Sequence, residues 1–358
     1  MTKVLTVLGA RPQFIKAAPV SRALCDAGVS EQIVHTGQHY DAGMSDVFFD
    51  ELGIPTPAYN LGVSGGRHGA MTGAMLQRLE PLLIDVHPDW VLVYGDTNST
   101  LAGALAASKL NIPVAHVEAG LRSFNRRMPE EQNRIVTDHL SDLLFTPTDA
   151  ATRRLEQEGI PDDRVLQVGD VMFDAALYYA ERAVAKSRIL DSFKLSAGDY
   201  VLATVHRAEN TDDPSRLRAI VEGLEAVAAH KAVILPLHPR TRSALARENI
   251  AFKRTTVIDP VGYLDMVMLE RHAAVIATDS GGVQKEAYFY GVPCVTLRAE
   301  TEWSELVELG WNRLAPPGSV NTAAEVFAAI GTEGSKQQPY GHGNAAAGVA
   351  AALVSAST

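Results

Sequence analysis

The sequence has few of the residues from which metal clusters and disulfide frameworks are built. Only two cysteines, Cys25 and Cys294, occur among its 358 residues, and they are far apart in the chain. Two cysteines make neither a zinc cluster nor a disulfide framework. Cys294 lies inside an apolar strand pattern, which is typical of a small buried hydrophobic residue. No metal site is therefore predicted.

Long hydrophobic runs and an excess of positive charge are also missing. No run of about 18 apolar residues occurs, so no transmembrane helix is predicted. The run MTKVLTVLG is too short for a signal peptide and is predicted to be the first strand, which makes the cytoplasm the default location. The formal net charge of −10 argues against a general nucleic-acid surface. An anionic substrate can still bind where basic side chains and helix N-termini are concentrated.

Several familiar catalytic motifs are absent, namely GxSxG, HExxH, GxxxxGK[ST] and GxGxxG. The glycine-rich residues 65–73 have the wrong spacing for a dinucleotide site and are predicted to form a flexible loop. No cofactor is predicted, and neither nucleophilic nor metal chemistry has a recognisable set of residues. The carboxylates, histidines and arginines that remain suit general acid–base catalysis with electrostatic stabilisation of a leaving anion.

Short β-branched runs alternate with longer helical patterns along the whole chain. Eleven runs, from KVLTVLG to PCVTLR, are predicted to be strands. Their nearly continuous apolar character is typical of parallel sheets with helices on both faces. Eleven strands are many for one open sheet, so we expect two doubly wound units that divide near residues 168–180. The final run GNAAAGVAAALVSAST is predicted to be a closing helix.

One stretch indicates a nucleotide diphosphate site. The strand pattern AAVIA leads directly into TDSGG (278–282), and a helical pattern follows at once. Glycines at such a turn let the backbone approach a ligand, and the N–H groups that open the helix hold phosphate. Ser280, Gly281 and Gly282 are the predicted contacts, and Glu286 lies about one turn further on, within reach of a ribose hydroxyl. A bare SGG also occurs in ordinary turns.

Polar side chains follow most of the predicted strands. In open α/β sheets, ligands bind outside the carboxyl ends of the strands. Strand ends also meet solvent, but so many charged residues together favour a binding site. The residues at these ends are Arg11, Lys16, Gln38, His39, Asp96 and Glu118 in the first half, and His206, Arg207, His238, Arg240 and Arg298 in the second. His206 alone would suit a buried structural role, but its neighbours Arg207 and Glu209 favour contact with a ligand.

The segment MPEEQNR carries two further carboxylates, Glu130 and Glu131. Proline followed by glutamate is a helix start signal. Neighbouring side chains on a helix point about 100° apart, so these two cannot both face one substrate atom. If one is catalytic, the other is structural.

Seven motifs, in order along the chain, are shared with one protein family. They are GARPQFIK (9–16), TGQH (36–39), YGDT (94–97), HVEAGLRS (116–123), PEEQNR (129–134), HRAEN (206–210) and TDSGGVQKEA (278–287). The chain resembles the non-hydrolysing UDP-N-acetylglucosamine 2-epimerases. The resemblance implies an α/β, glycosyltransferase-B-like fold of two Rossmann-like doubly wound domains, with the UDP-sugar between them and the C-terminal helix returning to the first. It gives domains of 1–170 plus about 343–358 and of 171–342, and it implies a homodimer.

The resemblance also implies the chemistry. The family eliminates UDP across C1–C2 of the sugar, and then adds UDP back while a proton reaches the opposite face of C2, without a redox cofactor. Asp96, Glu118, Glu130 and His206 are the implied catalytic residues. The predicted substrate contacts are Arg11, Lys16, Gln38, His39, Arg134, Arg207 and Arg298, with Ser280, Gly281 and Gly282 at the diphosphate and Glu286 at the ribose.

The chain departs from the usual family pattern in one informative place. Where the family commonly reads TERPE, residues 301–305 read TEWSE, so Trp303 replaces an arginine and a cationic contact is expected to be lost. The run AYFYGVPCVTLRAETEW resembles the branch that acts on UDP-2,3-diacetamido-2,3-dideoxyglucuronate, which is an alternative substrate. A glycosyltransferase of the same fold is a more distant alternative, and the three first-half carboxylates argue against it.

Overall fold

The computed structural model describes residues 1–38 and 52–357. The chain divides into two compact units: unit 1 comprises Met1–Ala175 and Gln338–Thr358, and unit 2 comprises Ala176–Gln337. Within these described residues, each unit is built on one parallel sheet, of seven strands in unit 1 and six in unit 2. Two Rossmann-like doubly wound units are therefore present, as the alternation of strand and helix patterns predicts.

Unit 1 alternates strands with helices. Its described strands are β1 (Lys3–Leu8), β2 (Ser30–His35), β3 (Tyr59–Asn60), β4 (Trp90–Tyr94), β5 (Val114–Val117), β6 (Leu143–Thr146) and β7 (Val165–Gln167). Its described helices are α1 (Arg11–Asp26), α2 (His68–Val86), α3 (Asn98–Lys109), α4 (Pro129–Leu140) and α5 (Asp149–Gln157). In the strand order β3-β2-β1-β4-β5-β6-β7, the strands up to β3 are added on one side of β1 and those from β4 onward on the other side. The switch point therefore lies between β1 and β4. Ligands of such sheets bind at the carboxyl ends of the strands beside that point.

Helix α6 (Val171–Lys186) leads from unit 1 into unit 2, which repeats the same winding. The strands of unit 2 are β8 (Tyr200–Thr204), β9 (Ala232–Pro236), β10 (Thr256–Ile258), β11 (Val275–Thr278), β12 (Cys294–Thr296) and β13 (Asn312–Leu314). Its helices are α7 (Ile189–Phe193), α8 (Ala208–Thr211), α9 (Pro214–Ala228), α10 (Pro239–Arg247), α11 (Tyr263–Arg271), α12 (Gly281–Phe289), α13 (Ser304–Glu308) and α14 (Thr322–Ala329). In the order β10-β9-β8-β11-β12-β13, the switch point lies between β8 and β11.

The sheet of unit 2 is buried on both faces, which explains its nearly continuous apolar strands. Successive side chains of a strand point to opposite faces. Val201 and Ala203 of β8 belong to one apolar cluster, which includes residues of α9, α10 and α14. Tyr200 and Leu202 belong to another, which includes residues of α7, α11 and α12. Within the described ranges, no helix is both long and apolar enough to cross a membrane.

The closing helix α15 (Ala345–Ala356) belongs to unit 1 and packs against α1. The carboxylate of Asp174 accepts hydrogen bonds from the backbone N–H groups of Ala345 and Ala346, at 3.2 and 2.8 Å. These donors lie at the helix N-terminus, where they have no partner within the helix. The return of the C-terminal helix to the first unit, expected from the family resemblance, is confirmed.

Two predictions about individual elements were wrong. Residues 65–73 were expected to form a loop, but α2 begins at His68 and includes most of them. Each glycine weakens a helix by about 1 kcal/mol, and the burial of Met75, Leu79 and Leu83 on one face of α2 outweighs that cost. The expected set of eleven strands also omitted β3 and β13, which have two and three residues, YN and NRL, and lack an apolar run.

Glu31 on β2 offers a test of how burial affects the stability of unit 1. The hydroxyl of Thr6 donates a hydrogen bond to Glu31 Oε1 at 2.5 Å. Burial raises the pKa of Glu31, and hydrogen bonds from Thr6 and Ser21 oppose this only in part. A raised carboxyl pKa means that the folded chain binds this proton more tightly than the unfolded chain. The stability contributed is complete below the unfolded pKa and is lost as the pH rises through the folded pKa.

We therefore expect Glu31→Gln to stabilise the protein at neutral and alkaline pH, by an amount on the order of 1 kcal/mol. Glutamine keeps an acceptor for Thr6 and carries no charge. The thermal unfolding midpoint should rise at pH 8 and match that of the wild type below the unfolded pKa of Glu31. Glu80→Gln, at an exposed position of α2, is the matched control. A lower midpoint for Glu31→Gln at pH 8 would contradict this account.

Candidate active site

A buried ion pair lies at the carboxyl end of β5. Lys16 Nζ on α1 is 2.5 Å from Glu118 Oε1, and the two side chains are 10% and 7% exposed. Glu118 has a φ of +71°, a left-handed conformation that residues with a Cβ rarely adopt. The backbone N–H groups of Glu118 and Ala119 both donate to the Phe145 carbonyl at 3.1 Å. Strained residues held in this way are concentrated at functional sites.

Asp96 stands at the end of β4, the strand that pairs with β5. Its Oδ2 accepts a hydrogen bond from Arg134 Nη2 of α4. Arg134 Nη1 donates to Glu131 Oε2 at 3.0 Å, and Asn133 Nδ2 donates to the Asp96 carbonyl at 2.9 Å. Helix α4 therefore fixes both the backbone and the side chain of Asp96.

The adjacent glutamates of α4 have different environments. Glu131 is 1% exposed, and its carboxylate accepts hydrogen bonds from Ser123 N, Ser123 Oγ and Phe124 N at 2.9, 3.0 and 2.8 Å. Glu131 thus holds the loop that precedes the helix. Glu130, the second residue of the helix, is only partly buried. Glu131 therefore has the structural contacts expected of one member of this pair if the other is catalytic.

The remaining predicted residues of unit 1 lie near the start of the chain. Gln38 Oε1 accepts hydrogen bonds from Ser99 N and Ser99 Oγ, at 3.0 and 2.7 Å. This contact ties Gln38 to the first turn of α3. Arg11 is the first residue of α1. His39 lies outside the described residues.

In unit 2, His206 and Arg207 follow β8 and are held by a buried aspartate. Asp279 is fully buried, and its carboxylate accepts hydrogen bonds from the backbone N–H of His206 at 3.0 and 3.1 Å. It also accepts from Arg207 N and Asn210 Nδ2, both at 3.0 Å. No role is predicted for Asp279 from the sequence, although the residue belongs to the TDSGG segment. Its place directly after an apolar strand was the available signal.

The environment of His206 favours the neutral imidazole. Burial lowers the pKa of His206, and the nearby His238, Arg207 and Arg240 lower it further, against the opposing charge of Asp279. His206 Nδ1 is 3.4 Å from Asp279 Oδ1. The rings of His206 and His238 have centroids 5.3 Å apart. A neutral imidazole can both donate and accept a proton at neutral pH.

The predicted phosphate contacts form the N-terminus of α12. Ser280 is the N-cap residue and its hydroxyl accepts a hydrogen bond from Val283 N at 3.4 Å, while Gly281 and Gly282 open the helix. A Cβ on Gly281 would lie 3.5 Å from Arg207 Nη2. Free helical N–H groups beside a guanidinium are a suitable site for an anion such as a diphosphate.

Two other predicted contacts, Glu286 and Arg298, take part in interactions within unit 2. Glu286 is buried in α12, and its Oε1 accepts from Tyr263 OH at 3.3 Å. Arg298 is 2% exposed and lies between Glu209 and Glu302, at 2.8 and 3.0 Å. Burial opposes the charge of Arg298, but Glu302 and Glu209 outweigh it and raise the pKa of its guanidinium. Arg298 therefore links the HRAEN turn to the segment after β12.

Trp303, at the position where the family commonly has arginine, packs on the start of α12. Its Nε1 donates to the Gly281 carbonyl at 2.9 Å. Lys285 Nζ lies 4.2 Å from the centroid of the Trp303 ring, a distance suited to a cation–π interaction. This cation belongs to the TDSGGVQKEA segment shared with the family, so it accompanies Trp303 without replacing the arginine that the family commonly has.

The family model described as UDP-N-acetylglucosamine 2-epimerase matches residues 22–354. The chain belongs to this family. A Pseudomonas aeruginosa protein named UDP-2,3-diacetamido-2,3-dideoxy-D-glucuronate 2-epimerase is 52% identical over 97% of this chain and 98% of its own length. The UDP-N-acetylglucosamine 2-epimerase of Methanocaldococcus jannaschii is 45% identical over 95% and 96%. Members of this family are isomerases, so the chain is an enzyme of that class.

Solved structures of the family have the same fold. The Methanocaldococcus jannaschii UDP-GlcNAc 2-epimerase in complex with UDP-GlcNAc and UDP matches with a TM-score of 0.93 and 43% identity, over 99% of this chain and 100% of that one. The Neisseria meningitidis epimerase bound to UDP-GlcNAc matches with a TM-score of 0.89 and 32% identity, over 99% and 100%. The glycosyltransferase-B-like architecture expected for this epimerase is therefore confirmed.

Proposed function

We propose that the enzyme inverts C2 of a UDP-linked 2-acetamido sugar and converts UDP-GlcNAc to UDP-ManNAc. The C2 hydrogen of such a sugar is not acidic enough for simple deprotonation and reprotonation. Elimination of UDP, followed by its re-addition, avoids that difficulty. The observation that carries the proposal is that Glu118 and Asp96 stand at the ends of neighbouring strands, each paired with a buried cation, Lys16 and Arg134 respectively.

The proposed reaction has two balanced steps. In the first, a carboxylate takes the C2 proton, the C1–O bond breaks, and UDP leaves with the electron pair to give a 2-acetamidoglucal. In the second, a UDP oxygen bonds to C1 while an acid delivers a proton to the opposite face of C2. Asp96, Glu118 and Glu130 are the candidate acid and base groups, and the neutral His206 is a fourth candidate for moving a proton.

Cationic and amide groups are needed to stabilise the departing UDP. In unit 2, Ser280, Gly281 and Gly282 at the start of α12 are the proposed diphosphate contacts, together with Arg207 beside Gly281. Glu286 is the proposed contact of the ribose. In unit 1, Lys16 and Arg134 hold their carboxylates in fixed positions, and Arg11, Gln38 and His39 complete the set of proposed substrate contacts.

A second substrate, UDP-2,3-diacetamido-2,3-dideoxyglucuronate, is favoured by the 52% identity to the Pseudomonas aeruginosa protein of that name. Its sugar differs from N-acetylglucosamine away from the reacting C1 and C2 atoms. The same elimination and re-addition therefore serve both substrates. The choice between them depends on contacts to the C3 amide and the C5 carboxylate.

The deciding experiment incubates the enzyme in deuterated water with UDP-GlcNAc and, separately, with the diacetamido-uronate analogue. The anomeric NMR signals report the conversion. The epimer that forms should carry deuterium at C2, because the proton added in the second step comes from solvent. An epimer without the solvent label, or transfer of the sugar to an acceptor with no epimer, would overturn the proposal. Glu156→Gln, on the exposed side of α5, is the matched control variant.

We also infer from family membership that the enzyme works in the cytoplasm as a homodimer. Light scattering coupled to size-exclusion chromatography measures the mass directly, and one protomer has a mass of 38.4 kDa. A single species of this mass at micromolar concentration would contradict the dimer.

A further inference from the structure

The proposed diphosphate turn contains two consecutive glycines, and one indole ring contacts the peptide that joins them. Trp303 Nε1 donates a hydrogen bond to the Gly281 carbonyl at 2.9 Å, and Trp303 is 5% exposed. A Cβ on Gly281 would lie 3.5 Å from Trp303 Nε1 and also 3.5 Å from Arg207 Nη2. The indole and the guanidinium therefore both lie beside the first residue of α12.

The hydrogen bond from the indole also affects the N–H groups that face a ligand. The C=O of Gly281 and the N–H of Gly282 belong to the same trans peptide, so they point in opposite directions. The first N–H groups of a helix have no partner within the helix, and Ser280 Oγ accepts only from the third of them, Val283 N. A bond that fixes the Gly281 carbonyl thus also fixes the direction of the Gly282 N–H.

Two adjacent glycines make this peptide costly to hold in one conformation. Glycine loses more conformational freedom on ordering than any other residue. A site that must be ordered by its ligand binds that ligand less tightly than a site that is already in place. Tryptophan suits the task of ordering the peptide, because its large rigid ring is oriented by only two side-chain torsions.

We propose that Trp303 is a positioning residue whose indole holds the Gly281–Gly282 peptide with its N–H directed at the diphosphate. This role rests on the proposed function, because the start of α12 is the proposed diphosphate site. It differs from the role open to the arginine that the family commonly has at this position. A guanidinium supplies positive charge, whereas the uncharged indole acts through the backbone of α12.

The segment that carries Trp303 is itself attached to α12, close to the two glycines. Thr301 Oγ1 donates to Gln284 Oε1 at 2.6 Å and accepts from Trp303 N at 3.1 Å. Gln284 is fully buried, and its Oε1 also accepts from Asn312 Nδ2 at 2.9 Å. The segment is therefore bound to α12 at two points, and the helix sets the position of the ring that holds its first turn.

The face of the indole has a different partner from its N–H, so the two contacts can be tested separately. Lys285 Nζ lies 4.2 Å from the centroid of the Trp303 ring, and Lys285 is 1% exposed. Trp303→Phe keeps an aromatic face for this ammonium, but it removes the only N–H of the side chain. The substitution therefore deletes the bond to Gly281 and retains the cation–π contact.

Isothermal titration calorimetry of the full-length enzyme with UDP measures the effect of Trp303→Phe. We expect the dissociation constant of UDP to rise about 3- to 10-fold, as for the loss of one hydrogen bond between uncharged groups. The affinity for uridine, which has no phosphate and is followed by ligand NMR, should be unchanged. A UDP affinity equal to that of the wild type, or a matching loss of uridine affinity, would overturn the proposal.

Trp311→Phe is the matched control for the loss of an indole N–H. Trp311 Nε1 also donates to a backbone carbonyl, that of Ser335, at 2.7 Å. Its ring packs against Tyr288, near the other end of α12. We expect Trp311→Phe to leave the affinity for UDP unchanged. Thermal midpoints of both variants without ligand separate a loss of stability from a loss of binding.

Thr301→Val tests the positioning role without changing the indole. Valine has the shape of threonine but lacks the hydroxyl that attaches the segment to Gln284. We expect the affinity for UDP to weaken, by a smaller factor than in Trp303→Phe, because the indole is held less firmly. An unchanged UDP affinity in Thr301→Val would also overturn the proposal, since it would show that the attachment does not serve the ligand.

Failure of the proposed function and failure of this positioning role give different results. If the wild type does not bind UDP, the proposed diphosphate site fails, and the role of Trp303 there fails with it. If the wild type binds UDP and converts the UDP-sugar while Trp303→Phe binds UDP equally well, only the positioning role fails.

Discussion

Replacing Glu118 with glutamine should lower kcat by about 10²- to 10⁴-fold, the usual size of a general acid or base contribution. Glutamine has the shape of glutamate and keeps an oxygen that can accept the hydrogen bond from Lys16 Nζ. It cannot take up the C2 proton or deliver one. The affinity for UDP should stay within about threefold of the wild type, because the proposed diphosphate contacts are in unit 2. Asp96→Asn and Glu130→Gln should behave in the same way.

Turnover is measured by integrating the two anomeric NMR signals, and UDP affinity by isothermal titration calorimetry. Glu156→Gln, which removes an exposed charge from α5, controls for the loss of one negative charge. The thermal midpoint of each variant separates a chemical effect from unfolding, since Lys16 is buried and loses a charged partner in Glu118→Gln. Wild-type rates in all three variants would refute the assignment of these carboxylates.

Asp279→Ala should weaken UDP binding and remove much of the stability of unit 2. Three donors, namely His206 N, Arg207 N and Asn210 Nδ2, lose their buried acceptor. Each buried donor left without a partner costs about 1–3 kcal/mol. We expect the thermal midpoint to fall markedly and the affinity for UDP to weaken more than tenfold, because the turn also carries Arg207. Asp279→Asn keeps one acceptor oxygen, so its losses should be intermediate.

The titration of His206 gives this prediction a second, independent measurement. Asp279 is the group that raises the pKa of His206 against burial and the nearby cations. Its replacement by asparagine should therefore lower the pKa of His206 further, which proton NMR of the imidazole can follow. Asp259→Ala removes a carboxylate that is 90% exposed and paired with Arg242 at the surface, and it should change neither quantity. An unchanged UDP affinity in Asp279→Ala would show that the turn does not serve the ligand.

The elements and the positions of the strand-end residues could be predicted because they depend on local sequence. The apolar runs that became β4, β5, β8 and β11 are continuous, and each is followed within two residues by a polar residue proposed for the site, namely Asp96, Glu118, His206 and Ser280. Helix α2 was missed because glycines near its start hid the apolar spacing that begins at Met75.

The partners of the site residues could not be predicted because they depend on contacts between distant parts of the chain. Glu118 and Lys16 can both be recognised as site candidates from the sequence. Nothing in the sequence around residue 118 indicates that residue 16 is its partner. Arg298 was expected to contact substrate, and its two carboxylate partners became visible only in the fold.

The placement of α15 also affects the order in which the two units can fold during synthesis. The helix packs on α1, near the start of the chain, yet the ribosome makes it after every residue of unit 2. Domains generally fold as they emerge, beginning with the N-terminal one. In this enzyme the N-terminal unit is completed last. Unit 2 can form its core before α15 has been made, whereas unit 1 is complete only when α15 packs on α1. A nascent chain that stalls before residue 345 therefore leaves the apolar surface of α1 open to chaperones.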